Sequence, residues 1–372
     1  MKITLVGPVF PYRGGIAHFT TLLAKKLREQ GNDTQVISFK KQYPKCLYPG
    51  ESDTDVGEGR LTTEADYILS PLNPITWFKT VKTIKQFDPN IVLLQWWVTF
   101  WGPALGFLAR KLRKKGYIIK FLIHNCLPHE PLAYDKLISK QVLKNGHQFI
   151  VMNEREIGRL KNLLPTALNI VNVPMPIFNA FPVLDISKSE ARKLFSLPQN
   201  KKLLLFFGLV RPYKGLQVLL LAFEELVNKG YDISLIIAGE FWENKNGYLK
   251  FVEQKGISDR VFFIDRYISD KETSEIFIAA DVFVAPYLKG TQSAAIKTAA
   301  GFGIPIVMSN VVVDKLIFEL HDYIIITESD NPQDLVRGII NSLDCPKVPT
   351  ILINQMTEKS WDDMISCIYR KN

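Results

Sequence analysis

Short apolar runs alternate along this chain with longer segments whose apolar residues recur at helical spacing. In the first half, residues 3–6, 34–38, 91–95, 117–123 and 147–152 read as strands. Between them 16–30, 75–86, 103–115 and 132–145 read as helices. Gly31, Asp88-Pro89 and Gly116 supply the stop signals. Strands separated by crossover helices predict a mostly parallel sheet covered on both faces.

The alternation breaks where Pro174, Pro176 and Pro182 fall within nine residues, a pattern expected of a linker. It then restarts. Residues 202–207, 233–238, 261–264, 282–285, 304–308 and 323–327 read as strands, and 188–195, 216–228, 248–255, 271–280, 293–301 and 332–343 as helices. A last helix over 358–369 carries Trp361, Met364, Ile365 and Ile368 on one stripe. The expectation is an α/β chain of two doubly wound, Rossmann-like domains, 1–175 and 183–352, facing across a cleft. A terminal segment, 353–372, is expected to pack back toward the first domain. Ligands in such sheets bind outside the carboxyl ends of the strands.

At 372 residues the chain has room for two cores. The net charge of +9 favours anionic partners but does not choose among them. No zinc-finger or RRM signature points to nucleic acid. Cys46, Cys126, Cys345 and Cys367 form no C-x-x-C pair, as suits a reducing cytoplasm. The start of the chain reads as a strand rather than a signal peptide. No apolar run reaches the roughly 18 residues of a membrane span.

Four loops carry candidate chemistry. Gly14 and Gly15, in the segment from Gly7 to Ile16, let backbone come close to an anion at a helix N-terminus. The loop after strand 117–123, His124-Asn125-Cys126-Leu127-Pro128-His129-Glu130, offers a histidine for hydrogen bonding or proton movement near neutral pH. Its H-x4-H-E spacing lacks the helical placement of a zinc site, so no metal is expected. The loop from Gly208 to Gly215 brings Arg211 and Lys214 to a helix N-terminus, where they could neutralise a departing diphosphate. Gly290, Thr291, Gln292 and Ser293 lie where another helix should begin. Simple turns, caps and surface cations are the alternative for each.

Two further features read less specifically. Asp53-Thr54-Asp55 is a D-x-D tripeptide in a Gly-rich stretch and reads as a solvated loop. Trp96, Trp97, Phe100 and Trp101, with Lys111, Arg113, Lys114 and Lys115 beyond, fit either core packing or contact with a membrane surface or a lipid-linked acceptor.

In this order the motifs resemble those of the retaining GT-B glycosyltransferases of family 4, also called group 1. The glycine pair Gly14-Gly15, the His124 loop, the Gly208–Gly215 stretch, the segment 279–286 and Gly303-Ile304-Pro305 carry the resemblance, which runs nearly end to end. It implies a cytoplasmic enzyme, at most peripheral at the inner membrane face, that moves a sugar from a nucleotide-diphosphate donor to a saccharide or lipid-linked acceptor. No cofactor is implied, since the nucleotide-sugar is a substrate. The resemblance gives His124, Arg211 and Lys214 catalytic roles. It puts Gly14, Gly15, Gly208, Gly290, Thr291, Gln292, Ser293 and Thr298 at the donor, and Trp97, His129 and Glu130 on the acceptor side. Many members carry glutamates eight positions apart where this chain has Gly290 and Thr298. That departure leaves open a non-catalytic nucleotide-sugar-binding or scaffold protein, an epimerase or a phosphorylase of the same fold.

Overall fold

Two parallel sheets organise the protein, each built by strands too short and too apolar to stand alone. The computed structural model describes residues 1–43, 52–54, 61–128, 132–167, 169–179, 181–290 and 292–370. One unit takes the described residues up to Met175 together with those from Trp361 onward; the other takes Pro176–Ser360.

The N-terminal unit runs β1 (Lys2–Val6), α1 (Gly15–Glu29), β2 (Asp33–Phe39), β3 (Asp66–Leu69), α2 (Pro74–Phe87), β4 (Ile91–Trp96), α3 (Gly102–Arg113), β5 (Ile118–Ile123), α4 (Ala133–Leu143), β6 (Gln148–Val151), α5 (Glu154–Leu163) and β7 (Ile170–Asn172). The sheet order is β3-β2-β1-β4-β5-β6-β7, with parallel pairing throughout. The chain steps outward from β1 to β3, and α2 then returns it to β4 beside β1. That reversal is the switch point of a doubly wound sheet.

The C-terminal unit repeats the device. Its elements are α6 (Lys188–Leu194), β8 (Lys202–Phe207), α7 (Leu216–Asn228), β9 (Ile233–Ala238), α8 (Asn246–Gln254), β10 (Val261–Ile264), α9 (Asp270–Ala279), β11 (Val282–Ala285), α10 (Ala294–Phe302), β12 (Ile306–Ser309), α11 (Lys315–Phe318), β13 (Ile324–Thr327) and α12 (Pro332–Ser342). The parallel order β10-β9-β8-β11-β12-β13 puts the reversal between β8 and β11. Alternate residues feed two cores: Leu203, Leu205 and Phe283 face one, Leu204, Phe206 and Val284 the other. This is why the strands read as unbroken apolar runs.

A final helix, α13 (Thr350–Tyr369), begins earlier than the expected 358. Its first turns read Thr-Ile-Leu-Ile, a β-branched run with weak helical preference. Packing decides the matter, because Ile353 and Met356 join the core of the C-terminal unit. In the N-terminal unit, buried Trp361 meets Phe19 at 5.6 Å between ring centroids. The strands β3 and β7 and the helices α5 and α11 lie outside the predicted pattern. Each is short, and α5 shows mainly Ile157 and Leu160 as its apolar stripe, although its cap Asn153 is visible in the sequence.

The end of α13 is held from below. Lys120 of β5 is buried, and its Nζ donates to the carbonyls of Ile368, at 2.8 Å, and Arg370, at 2.6 Å. Those carbonyls would otherwise be orphaned at a helix C-terminus. Burial pushes the Lys120 amine down to about 8. Lys120→Met should lower unfolding free energy by about 1–3 kcal/mol, because it strands buried acceptors. Urea denaturation followed by circular dichroism measures this.

Candidate functional site

The switch point between β8 and β11 gathers the charged loops of the C-terminal unit. After β8 the chain turns at Gly208 and runs beside the continuation of β9, where Val210 N donates to Glu240 O at 2.9 Å and Trp242 N to Val210 O at 3.1 Å. Arg211 then leads into one 3₁₀ turn, Pro212–Lys214, and α7 follows at once. The next loop is fastened to this one by Leu288 N, which donates to Tyr213 O at 2.8 Å.

Such crowding requires glycine. A Cβ on Gly215 would stand 1.9 Å from the carbonyl oxygen of Pro286, and one on Gly239 would stand 2.3 Å from that of Gly208. Both glycines have positive φ, +72° and +140°, so a side chain is excluded by sterics and by backbone conformation together. The result is three strand-end loops, from β8, β9 and β11, pressed against one another.

Lys214 lies inside this junction, 8% exposed, with Nζ 5.7 Å from the centroid of the Tyr287 ring. Its Nζ is 2.9 Å from where a Cβ on Gly208 would be, so that glycine makes its room. Burial, reinforced by the Arg211 charge, pushes the amine down to about 8. The Arg211 guanidinium is half-buried and stacks on the Trp242 ring at 4.4 Å. Neither cation has a carboxylate partner among the described residues. Nearby Lys297 shows the contrast: it is equally buried, but Asp314 neutralises it at 2.8 Å. Two unneutralised cations at one strand end make a place for an anion.

The loop before α10 is more fully self-satisfied than expected. Ser293 caps the helix, accepting from Ile296 N at 3.3 Å, and its hydroxyl also shares a hydrogen bond with Tyr287 Oη at 3.0 Å. Gln292 is half-buried, and Thr291 lies outside the described residues. Thr298, expected at the donor, is buried at the centre of α10. A Cβ on Gly290 would stand 2.7 Å from Val312 Cγ1. A glutamate there would displace Val312, which gives a steric reason for glycine at that position.

In the N-terminal unit, Gly14 caps α1 with φ +100° and is exposed, with nothing within 4 Å of a Cβ built on it. Gly15 is the first residue of α1, half-buried. Their backbone is thus open to a ligand. His124 is a different matter. The imidazole is 2% exposed, and burial holds it neutral, down to about 3. Proton movement by His124 near neutral pH is therefore not what this structure supports. Its Nε2 donates instead to Gln95 Oε1 at 2.6 Å, and Gln95 Nε2 donates to Thr20 Oγ1 at 2.6 Å. The Gln95 side chain lies 3.1 Å from where a Cβ on Gly7 would be, so His124 supports the floor of the first glycine loop.

Trp97, expected on the acceptor side, is another correction. It is buried among Phe39 and Trp101, and its indole N–H donates to Tyr43 Oη at 2.9 Å. Trp96 and Trp101 are buried too, so the aromatic cluster is core. His129 and Glu130 lie outside the described residues. So does Asp55, whereas Asp53 and Thr54 lie half-buried against the first glycine loop, where Arg13 N donates to Asp53 O at 2.9 Å.

Sequence reasoning missed Trp242, Gln95 and the Lys297–Asp314 pair. Gln95 is readable as the one amide in an apolar strand. Trp242 lies more than thirty positions after Gly208 and meets Arg211 only through the pairing of β8 with β9.

Residues 187–359 match the family model described as Glycosyl transferases group 1. Among curated proteins, the chain is 26% identical over 172 residues to D-inositol 3-phosphate glycosyltransferase of Mycolicibacterium smegmatis, covering 46% of this chain and 39% of that one. It is 28% identical over 184 residues to spore coat protein SA of Bacillus subtilis, covering 47% and 44%. The matches thus span less than half of either relative's length. Among solved structures, HepE of Anabaena in complex with UDP and glucose superposes with a TM-score of 0.71 at 15% identity, covering 98% of both chains. Sucrose-phosphate synthase of Thermosynechococcus elongatus gives 0.66 at 16%, covering 99% of this chain and 94% of that one. The fold is that of GT-B glycosyltransferase structures, two parallel-sheet Rossmann-like domains.

Gly215→Ala should destabilise the C-terminal unit by roughly 2–4 kcal/mol, since overpacking and a left-handed backbone penalty combine. Thermal unfolding reads this directly. Trp242→Leu should leave the unfolding midpoint nearly unchanged and weaken binding of inorganic pyrophosphate by roughly fivefold, through loss of the surface that orients Arg211. Calorimetry of the variant with pyrophosphate measures it.

Proposed function

We propose that this chain, whose residues 187–359 match the glycosyl transferases group 1 family, is a retaining glycosyltransferase of family 4 acting on a nucleotide-diphosphate sugar. The observation that carries the reading is the pair Arg211 and Lys214, two cations without a carboxylate partner among the described residues at the β8/β11 switch point. A diphosphate is the leaving group that such a pair fits. Arg211 offers a planar fork already oriented by Trp242, and Lys214 a compact charge on a rigid loop. As the bond from the anomeric carbon to phosphate breaks, negative charge grows on the diphosphate and the cations stabilise it more than they stabilise the intact donor. An acceptor hydroxyl takes the place of the diphosphate oxygen at the anomeric carbon, and its proton passes to the departing diphosphate.

In this reading the nucleotide lies on the C-terminal unit, and the N–H groups that open α10 add polar contacts beside Gly290, Gln292 and Ser293. Gly14 and Gly15 of the N-terminal unit offer open backbone to a polar ligand. His124 acts through Gln95, as a positioning residue for the first glycine loop. Two fixed cations do the charge work that a divalent ion does elsewhere, so neither metal nor cofactor is required. The acceptor is a saccharide or a lipid-linked sugar, and the work is done in the cytoplasm. The similarity to HepE, solved with UDP and glucose, and to D-inositol 3-phosphate glycosyltransferase supports a nucleotide-sugar donor and a hydroxyl acceptor.

Lys214→Ala should cut transfer by roughly 10²-fold or more, measured as nucleoside diphosphate released in the presence of acceptor. Turnover close to that of the parent chain would reject the role. The pH dependence has a definite sign. An anion favours the charged amine, so affinity for a nucleoside diphosphate should be full between the ligand's own phosphate titration, at about pH 6, and about pH 8, and fall as pH rises through the latter. Affinity measured across that range checks it.

A further inference from the structure

The aromatic cluster is core, yet the N-terminal unit does carry an amphipathic surface elsewhere. The crossovers through α2, α3 and α4 all run in the same direction along the sheet, so right-handed connections set these helices side by side on one face. Phe78 of α2 meets Phe107 of α3 at 4.8 Å between ring centroids. Gly102 and Gly106 bring α3 close to α4, since Cβ atoms there would lie 2.3 Å from Ile138 and 3.1 Å from Val142 side-chain atoms.

The outward side of this layer is unusual in two independent ways. First, charge is segregated. Within their bounds the three helices carry eight Lys and Arg side chains, all exposed, and one carboxylate, Asp135, which is buried. That excess is comparable with the net +9 of the whole chain. Lys114, Lys115 and Lys144 extend it past the helix ends, and Asp88, the cap of α2, opposes it. Second, large apolar side chains are exposed at the starts of α2 and α4: Ile75 at 79% and Phe78 at 60%, with Leu72 before them, and Tyr134 and Leu137 on α4. On α2 the apolar and basic residues share a stripe, Ile75, Phe78 and Lys79, then Lys82, at helical spacing.

From this geometry we propose that the α2–α3–α4 face of the N-terminal unit docks on a lipid bilayer with anionic headgroups. The lysines and arginines supply long-range attraction to the surface potential, and Ile75 and Phe78 enter the headgroup and acyl boundary. A nucleic acid would satisfy the charges but would leave the exposed aliphatic side chains with nothing to contact. The bilayer satisfies both sets. This surface is separate from the nucleotide site and stands whether or not the chain transfers sugar.

The test is co-flotation of the full chain with vesicles of phosphatidylcholine alone, or with roughly a third of the lipid replaced by phosphatidylglycerol. The chain should bind the anionic vesicles only, and binding should fall as salt rises. The double variant Lys79→Ala, Lys82→Ala should weaken binding about thirtyfold. Ile75→Ser with Phe78→Ser should weaken it about tenfold or more at unchanged charge. All these residues are exposed, so unchanged circular dichroism is expected of each variant, with at most a small fall in thermal midpoint where Phe78→Ser removes the contact with Phe107. Absence of binding to anionic vesicles, or binding indifferent to either pair, overturns the proposal. Tight binding to duplex RNA that depends on the lysines, with vesicle binding insensitive to the apolar pair, assigns the face to a polyanion instead.

Discussion

A buried ammonium without a carboxylate is a costly thing to fold, and the C-terminal unit is built to tolerate one. Lys214 lies in a junction that glycines at 208, 215 and 239 make possible, under the ring of Tyr287 and beside a second cation. Desolvation penalises its charge, and Arg211 adds repulsion. No carboxylate among the described residues compensates them. The free energy withheld in this way would be recovered on binding an anion, whose charge offsets the repulsion between the two cations. Around it stand loops from β8, β9 and β11 that interlock through backbone and a tryptophan ring 4.4 Å from the arginine, whereas the buried Lys297 of α10 is paired with Asp314.

The same topology serves the N-terminal unit with different chemistry. Its switch point carries glycines whose backbone is open and a buried hydrogen-bonded chain, His124 to Gln95 to Thr20, beneath them. One unit thus presents fixed positive charge, the other a neutral glycine edge on a firm floor.

Much of this is legible in the amino-acid sequence by itself. Alternation of apolar runs with helical stripes is enough for two doubly wound sheets, because strands covered on both faces leave an unbroken apolar signature. Arg211 and Lys214 are visible because they follow a strand end and lie between glycines. What stays hidden depends on contacts between distant segments. Trp242 reaches Arg211 only through the register of β8 against β9, and no local pattern encodes that. His124 reads as a neutral-pH proton carrier because its loop position is legible and its burial is not. Trp97 illustrates the opposite ambiguity: an aromatic cluster fits a surface or a core equally well, and packing against Phe39 and Trp101 decides for the core. The early start of α13 is a case of tertiary packing overriding weak local preference.

The central claim is that Lys214 meets the diphosphate with an amine only part-charged near pH 8. Calorimetric titration of a nucleoside diphosphate at that pH, in buffers of different ionisation enthalpy, reports protons exchanged on binding. The account predicts net proton uptake by the parent chain and less by Lys214→Met, because ligand charge raises the affinity of the amine for its proton. Binding with no proton uptake, or with the same uptake in the variant, would contradict it.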